Sequence, residues 1–214
     1  MNGDSADAMA RLGIFGGTFD PIHHGHLRLA EDLAEALDLD RVLFVPNHVS
    51  PFKTAAQVTP GSVRAEMVAL AIADNPRFGL WTGELEREGP SYTVDTLRAL
   101  SALHPADTLV FLTGADAIRD LAGWREPEAI LDLAEVAAGT RPGTDLAEIQ
   151  SHLPPEWRNR IRFIPVVPLD ISATDLRRRV AAGRSIRYLA PPPVLAAIAD
   201  RHLYRSEERP IGGT

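Results

Sequence analysis

The sequence predicts an α/β protein built on a doubly wound parallel sheet. Short apolar runs typical of buried strands alternate along the chain with longer stretches of helical periodicity. This alternation favours parallel strands joined by right-handed crossovers, with helices on both faces of the sheet. A glycine turn follows the first apolar run, and ligands of such sheets bind beyond the carboxyl ends of the strands. We therefore expect a ligand site at that turn.

A sharp change of pattern predicts the first strand and the first helix. Arg11 to Phe15 reads RLGIF, a short apolar run, after which Gly16 and Gly17 free the backbone to turn. Apolar residues at helical spacing begin at Leu27 and continue to Leu39. The stretch between the two elements is therefore the connection at the ligand edge.

The remaining elements repeat the same two patterns. The run RVLFVP predicts a strand at 41–46, and the proline-rich loop at 47–60 is long enough to be a lid or a binding segment. Further strands are predicted at 78–82, 108–113, 135–139 and 161–167, and further helices at 62–74, 93–103, 128–133 and after Ser172. We expect one domain over 11–205, with a C-terminal helical part over about 171–205, a disordered tail at 1–10 and a second tail at 206–214.

The composition narrows the class of protein. A chain of 214 residues that is 45% hydrophobic is sized for about one domain with ample core. A net charge of -7 argues against a surface that coats nucleic acid, and the lack of cysteine excludes disulfides and thiol chemistry. The first residues are polar and acidic, and no apolar run reaches membrane-spanning length. We expect a soluble cytoplasmic protein with neither a membrane nor a nucleic-acid partner.

The segment GGTFDPIHHGHL, from Gly16 to Leu27, carries three of the seven histidines. Backbone N–H groups at a turn before a helix, together with the positive end of the helix dipole, favour a bound phosphate. His23 and His26 are three residues apart at the helix start, which places both imidazoles on one face, where both can donate to one phosphate chain. His24 points elsewhere in that geometry.

Three other interpretations explain less of this segment. Paired histidines occur at zinc sites, but zinc usually recruits further ligands, and the chain has no cysteine and no second histidine cluster. A dinucleotide-binding turn would need the spacing GxGxxG, which GGTFDP does not supply. A plain helix cap accounts for the glycines and leaves the run HHGH unexplained.

The run GGTFDPIHHGH resembles the HxGH signature of the nucleotidylyltransferase superfamily. The likeness to the superfamily's bacterial nicotinate mononucleotide adenylyltransferases extends from about Leu12 to about Leu203. It implies a Rossmann-like nucleotidylyltransferase fold and transfer of the adenylyl group of ATP to nicotinate mononucleotide in NAD biosynthesis. Mg²⁺ would travel on the ATP phosphates, without protein ligands to the metal. A sister enzyme with another acceptor, such as pantetheine phosphate, a non-catalytic nucleotide sensor and a homo-oligomer all stay open.

The resemblance also implies which side chains carry the chemistry. His23 and His26 match the two signature histidines. The chain's lone lysine, Lys53, lies where the family reads approximately PPHK, although Phe52 stands in place of the usual histidine. The run ISATDLR is similar to the family motif ISSTxxR and supplies Arg177. We expect His23, His26, Lys53 and Arg177 to be the catalytic residues.

The nucleotide site is predicted from three separated segments. In ISATDLR, Ser172 has the position of a helix N-cap, and Ala173 replaces the second serine of the family motif. The segment after the strand at 108–113 adds a glycine and a carboxylate that can hold ribose hydroxyls. The predicted ATP-binding residues are Gly16, Gly17, Thr18, Phe19, His23, His26, Gly114, Asp116, Ser172, Thr174 and Arg177.

The acceptor site is predicted from two segments in the middle of the chain. The run GPSYTVDTL resembles the family's acceptor segment and places Ser91, Tyr92 and Thr93 at a helix start, where they either cap the helix or hold a ligand. Trp124 either stacks on a pyridine ring or packs in the core. Together with Asp116, these four residues are the predicted acceptor-binding set.

Overall fold

A computed structural model describes residues 9–48 and 58–205 of the chain. Within these ranges six strands form one parallel sheet in the order β3-β2-β1-β4-β5-β6. The strands are β1 (Arg11–Gly17), β2 (Arg41–Pro46), β3 (Phe78–Leu80), β4 (Thr108–Gly114), β5 (Glu135–Thr140) and β6 (Ile161–Pro165). The chain winds outward from β1 first to one edge and then to the other, which confirms the predicted doubly wound fold.

Eight α-helices accompany the sheet in the described part of the chain. They are α1 (His24–Ala36), α2 (Gly61–Ile72), α3 (Thr93–Leu103), α4 (Ala115–Ile118), α5 (Pro127–Leu133), α6 (Leu146–Ser151), α7 (Ala173–Ala181) and α8 (Pro192–Asp200). Helix α1 begins at His24 instead of the predicted Leu27, because its first turn consists of histidines and a glycine that carry no apolar spacing. Helices α4 and α6 were not predicted, since elements of four and six residues are too short to show a period.

Two strands end earlier than predicted. β3 stops at Leu80 and β6 at Pro165, and both lie at an edge of the sheet, where each pairs with a single neighbour. One backbone hydrogen bond continues beyond each end, from Trp81 to Phe44 and from Val166 to Thr140, both at 3.0 Å. Each predicted strand was therefore too long by two residues, of which the first still donates to the neighbouring strand.

The core has two layers, one on each face of the sheet. On one face, buried residues of α1, α2 and α8, such as Leu33, Met67 and Ile198, pack on the sheet. On the other face, α3 and α5 contribute Leu97 and Ile130. The last helix, α8, packs in the core and lies within the predicted C-terminal helical part. Among the described helices, none is long and apolar enough to cross a membrane.

Candidate active site

The turn after β1 rests on a buried aromatic cluster. Phe19 adopts a left-handed conformation with φ of 48°, and its ring is 2% exposed and packs edge-on against Phe15 and against His26. A Cβ at Gly17 would lie 2.8 Å from this ring, so only glycine lets the chain pass so close. Of the predicted ATP-binding residues, Phe19 can therefore offer a nucleotide its backbone, while its side chain supports the turn from below.

The two signature imidazoles stack on one another at the start of α1. The ring centroids of His23 and His26 are 3.7 Å apart with an interplanar angle of 22°, which confirms that both side chains lie on one face. The backbone N–H of His23 donates to Nδ1 of His26 over 3.3 Å. Because Nδ1 accepts, a neutral His26 carries its proton on Nε2. His24 lies instead beside a separate groove that Leu27 and Glu31 also line.

Gly25 lies close against the His23 ring. A Cβ at Gly25 would lie 3.0 Å from Nδ1 of His23 and 3.4 Å from the carbonyl oxygen of Ile171. The first distance is tighter than an ordinary contact, so a side chain there would shift the His23 ring by a few tenths of an ångström. The glycine of the HxGH run thus gives the stacked rings their room.

His23 is held in its neutral form. Its side chain is buried, and burial together with the neighbouring His24 lowers its pKa to about 4. Its Nδ1 and the Oδ1 of Asn47 are buried polar atoms that lack a hydrogen-bond partner among the described residues. Unpaired buried polar atoms are rare in native proteins. At neutral pH, the His23 imidazole is uncharged and carries one N–H donor.

A guanidinium from the far end of the chain joins this turn. Arg177, on α7, donates from Nη1 to the carbonyl oxygen of Asp20 over 2.6 Å and from Nη2 to Oγ1 of Thr174 over 3.3 Å. Ser172 caps α7 by accepting from the backbone N–H of Asp175 over 3.1 Å, as predicted. Two helix N-termini therefore meet beside the turn, and their dipoles add to the positive charge of Arg177. The predicted Lys53, with Phe52, lies outside the described residues.

A narrow cleft at the carboxyl ends of β4 and β5 opens beside this cluster. Its volume is ≈ 50 Å³, and it is lined by Gly25, Gly114, Asp116 and Gly139, among others. A Cβ at Gly139 would lie 2.4 Å from the Leu29 side chain, so the backbone here is as close to α1 as packing allows. The structure thus places Gly114 and Asp116 next to the helix start that carries the histidines.

Gly16 and Gly17 were predicted to form a turn, but both are paired with β2 as the last two residues of β1, and the chain turns after them. A larger cavity lies on the other side of this strand end. Its volume is ≈ 460 Å³, within the range of pockets that take a small ligand. Gly16, Gly17 and Thr18 form one wall, and the start of α3 and the loop at Trp124 form the opposite wall. Trp124 packs edge-on against Phe111, with ring centroids 6.0 Å apart. The structure therefore brings four of the five predicted acceptor residues, Ser91, Tyr92, Thr93 and Trp124, into this cavity, whereas Asp116 lines the narrow cleft.

Two charged residues of the larger cavity were not identified from the sequence. Glu84 is 6% exposed and accepts from Oγ1 of Thr96 over 2.5 Å, and its burial raises its pKa. The Arg125 guanidinium lies 4.7 Å from the centre of the Tyr92 ring, in a cation–π contact. Arg125 directly follows the predicted Trp124, and Glu84 precedes the run GPSYTVDTL by five residues, so proximity in sequence to these segments was the available signal.

Arg64 was also not identified from the sequence, and its side chain holds the turn after β1 by hydrogen bonds. The side chain is 1% exposed, and its guanidinium donates to the carbonyl oxygens of Thr18 (2.6 Å), Asn47 (2.7 Å) and Thr59 (2.8 Å). Thr18 belongs to the connection after β1, and Asn47 and Thr59 belong to the two ends of the connection between β2 and α2. The planar guanidinium of Arg64 therefore fixes the positions of these connections relative to each other. In the sequence Arg64 is one arginine of a predicted helix, which gives no sign of this role.

Comparison with known proteins identifies the family to which this chain belongs. The model of the cytidylyltransferase-like family matches residues 14–179. A protein of Symbiobacterium thermophilum named as a probable nicotinate-nucleotide adenylyltransferase is 45% identical over 199 residues, covering 92% of this chain and 96% of its own. A Thermus thermophilus protein of the same name is 47% identical over 200 residues, covering 91% and 100%.

Solved structures share the fold at lower identity. The nicotinic acid mononucleotide adenylyltransferase of Plasmodium falciparum, solved in complex with NaAD, aligns with a TM-score of 0.73 at 21% identity. The alignment covers 91% of this chain and 97% of that one. The same protein complexed with APC aligns with a TM-score of 0.72. The whole described architecture is therefore that of these structures.

Proposed function

Because this chain belongs to the cytidylyltransferase-like family and, within it, to the nicotinate-nucleotide adenylyltransferases, we propose that it transfers the adenylyl group of ATP to nicotinate mononucleotide. The products are nicotinate adenine dinucleotide and pyrophosphate, a step of NAD biosynthesis that we place in the cytoplasm. One observation carries the proposal: the stacked imidazoles at the start of α1 adjoin Arg177 from α7 and lie between a narrow cleft and a larger cavity.

The reaction needs positioning more than acid–base chemistry. A phosphate oxygen of nicotinate mononucleotide attacks the α-phosphorus of ATP in line, a new P–O bond forms, and the bond to the bridging oxygen of the β-phosphate breaks. The nucleophile is already an anion, so no protein base and no covalent enzyme intermediate are required. The site must hold two negatively charged groups together while charge grows on departing pyrophosphate.

We assign the phosphate contacts to the groups at the two helix N-termini. His26 donates from Nε2, since its Nδ1 is engaged by the backbone, and His23 donates as a neutral imidazole. Arg177 supplies a full positive charge beside them, and Lys53 supplies a second. Gly16 and Gly17 let the nucleotide approach the backbone closely. Mg²⁺ enters with ATP, coordinated by phosphate oxygens and water, as this ion commonly is.

The ribose of ATP lies at the mouth of the narrow cleft, and the larger cavity takes the acceptor. Asp116 is exposed at the cleft, where its carboxylate accepts from ribose hydroxyls. In the cavity, the aromatic walls at Tyr92 and Trp124 fit a pyridine ring. Glu84 and Arg125 are its oppositely charged lining residues, so a ring carboxylate lies toward Arg125 and away from Glu84. This polarity favours nicotinate over its amide.

The proposal is tested by following pyrophosphate release from ATP and Mg²⁺ with three acceptors in parallel. Nicotinate mononucleotide should support turnover, its amide analogue should support less, and pantetheine phosphate should support none. Turnover with pantetheine phosphate alone would identify a sister enzyme. ATP binding by calorimetry without pyrophosphate release from any acceptor would identify a nucleotide sensor, and either result contradicts the proposal.

A further inference from the structure

The turn after β1 leads to the proposed phosphate contacts and is called the phosphate turn below. It is hydrogen-bonded to the C-terminal end of the described chain. The hydroxyl of Tyr204 donates to Oδ1 of Asp20 over 2.6 Å, across 184 positions of sequence. Asp20 is 4% exposed, so this hydrogen bond is made out of contact with bulk water. Asp20 precedes the capping residue His23 by only three positions, and its conformation therefore affects the start of α1.

Asp20 connects several parts of the site. Its Oδ2 accepts from the backbone N–H of Thr59 over 3.3 Å, and its own carbonyl oxygen accepts from Arg177 over 2.6 Å. Its negative charge also raises the pKa of the buried Arg64 against the lowering effect of burial. A shift of Asp20 would therefore move the acceptor that orients Arg177 and disturb the turn that leads to His23.

The carboxylate depends on its hydrogen-bond donors. A buried carboxylate is costly unless hydrogen bonds replace the water that it loses. Tyr204 is suited to this role because burial and the charge of Asp20 raise its pKa, which keeps the hydroxyl protonated and donating. Loss of the hydroxyl would leave Oδ1 without this donor and drive Asp20 to reorient.

The chain accepts unfavourable backbone conformations to bring this hydroxyl into place. His202 and Tyr204 adopt left-handed conformations, with φ of 53° and 60°. Non-glycine residues persist in this region only where the surrounding structure holds them. The bend after α8 thereby directs a C-terminal side chain back to the first turn of the protein.

We propose that Tyr204 is a positioning residue for adenylyl transfer, acting through Asp20 to hold the phosphate turn and Arg177 in their reactive arrangement. The inference rests on the proposed function, since it concerns the same reaction. It assigns to the C-terminal end a role in turnover beyond packing, although no atom of Tyr204 touches a substrate.

Kinetics of Tyr204→Phe, which removes only the hydroxyl, test the proposal. Tyr188→Phe is the matched control, because Tyr188 is 88% exposed. Assayed well below the unfolding midpoint and normalised to folded protein, Tyr204→Phe should lower kcat by roughly tenfold, the scale for leaving one buried acceptor unsatisfied. KM for nicotinate mononucleotide should stay at the parent value, and Tyr188→Phe should behave as the parent. A merely structural role would lower the midpoint and leave kcat per folded molecule unchanged, which would overturn the proposal.

A double-mutant cycle tests the route through Asp20. In an Asp20→Ala background, Tyr204→Phe should cause little further loss of kcat, because the acceptor through which the hydroxyl acts is already gone. Independent, additive losses would contradict this route. If Asp20→Ala does not fold, the kcat comparison of Tyr204→Phe with Tyr188→Phe decides alone. A parent protein that forms no product would overturn the proposed function itself, whereas an active parent with an equally active Tyr204→Phe would overturn only this inference.

Discussion

Lowering the pH from about 7 to about 5 should destabilise the protein through His23 in particular. Burial lowers the pKa of this imidazole from 6.5 to about 4 in the folded protein. Between these values the unfolded chain binds a proton that the folded protein does not, so stability falls as the pH falls through this window. Above the unfolded value the imidazole is neutral in both states, so His23 no longer makes the stability depend on pH.

The size of the effect follows from the shift. Each pKa unit corresponds to roughly 1.4 kcal/mol, so the difference between the two states integrates to about 2 kcal/mol between about pH 7 and about pH 5. His23→Gln removes the titrating group while keeping an amide that can donate a hydrogen bond. The variant should therefore lose about 2 kcal/mol less than the parent over the same interval.

Denaturant unfolding at a series of pH values measures this difference. His152→Gln is the matched control, since His152 is exposed and lies at the end of α6, and it should retain the pH dependence of the parent. Equal pH dependence in the parent and in His23→Gln would refute the reasoning. It would mean that the His23 imidazole titrates alike in both states and is not held neutral by burial.

Three further predictions concern turnover. His26→Ala should fold normally and lower kcat by ~10² or more, the scale for losing one preorganised donor to developing charge, and turnover near the parent value would contradict its role. Gly25→Ala should lower kcat with a smaller loss of stability, because the new Cβ displaces the His23 ring; stacked rings and full activity in the variant would disprove this. Arg125→Gln should raise KM for nicotinate mononucleotide by roughly two- to fivefold and change KM for the amide little, as expected for loss of one partly exposed charge pair. An equal change for both acceptors would remove Arg125 from acid recognition.

The order of the elements could be predicted because local patterns determine it. Apolar runs and helical spacing give the strands of the sheet and the longer helices, and α3 has the predicted bounds of Thr93–Leu103. The histidine pair could be placed on one face because three-residue spacing at a helix start requires it. These features depend on residues that are close together in the sequence.

Features that depend on distant contacts could not be predicted. Nothing in the neighbours of Arg64 indicates that it will be buried with the carbonyl oxygens of Thr18 and Asn47 around it. The contact between Asp20 and Tyr204 likewise exists only once the whole chain has folded. Asp116 was assigned to both substrates because sequence cannot tell on which side of β1 a neighbouring strand end opens, and the fold places Asp116 in the narrow cleft.

A crystal structure of the protein with nicotinate adenine dinucleotide bound tests the central claim most directly. The account predicts that the pyrophosphate linkage lies within hydrogen-bond distance of Nε2 of His26 and of the Arg177 guanidinium. The pyridine ring should lie in the larger cavity against Trp124, and the ribose of the adenosine should lie at the mouth of the narrow cleft, near Asp116. A dinucleotide bound with its phosphates away from the stacked histidines would contradict the account.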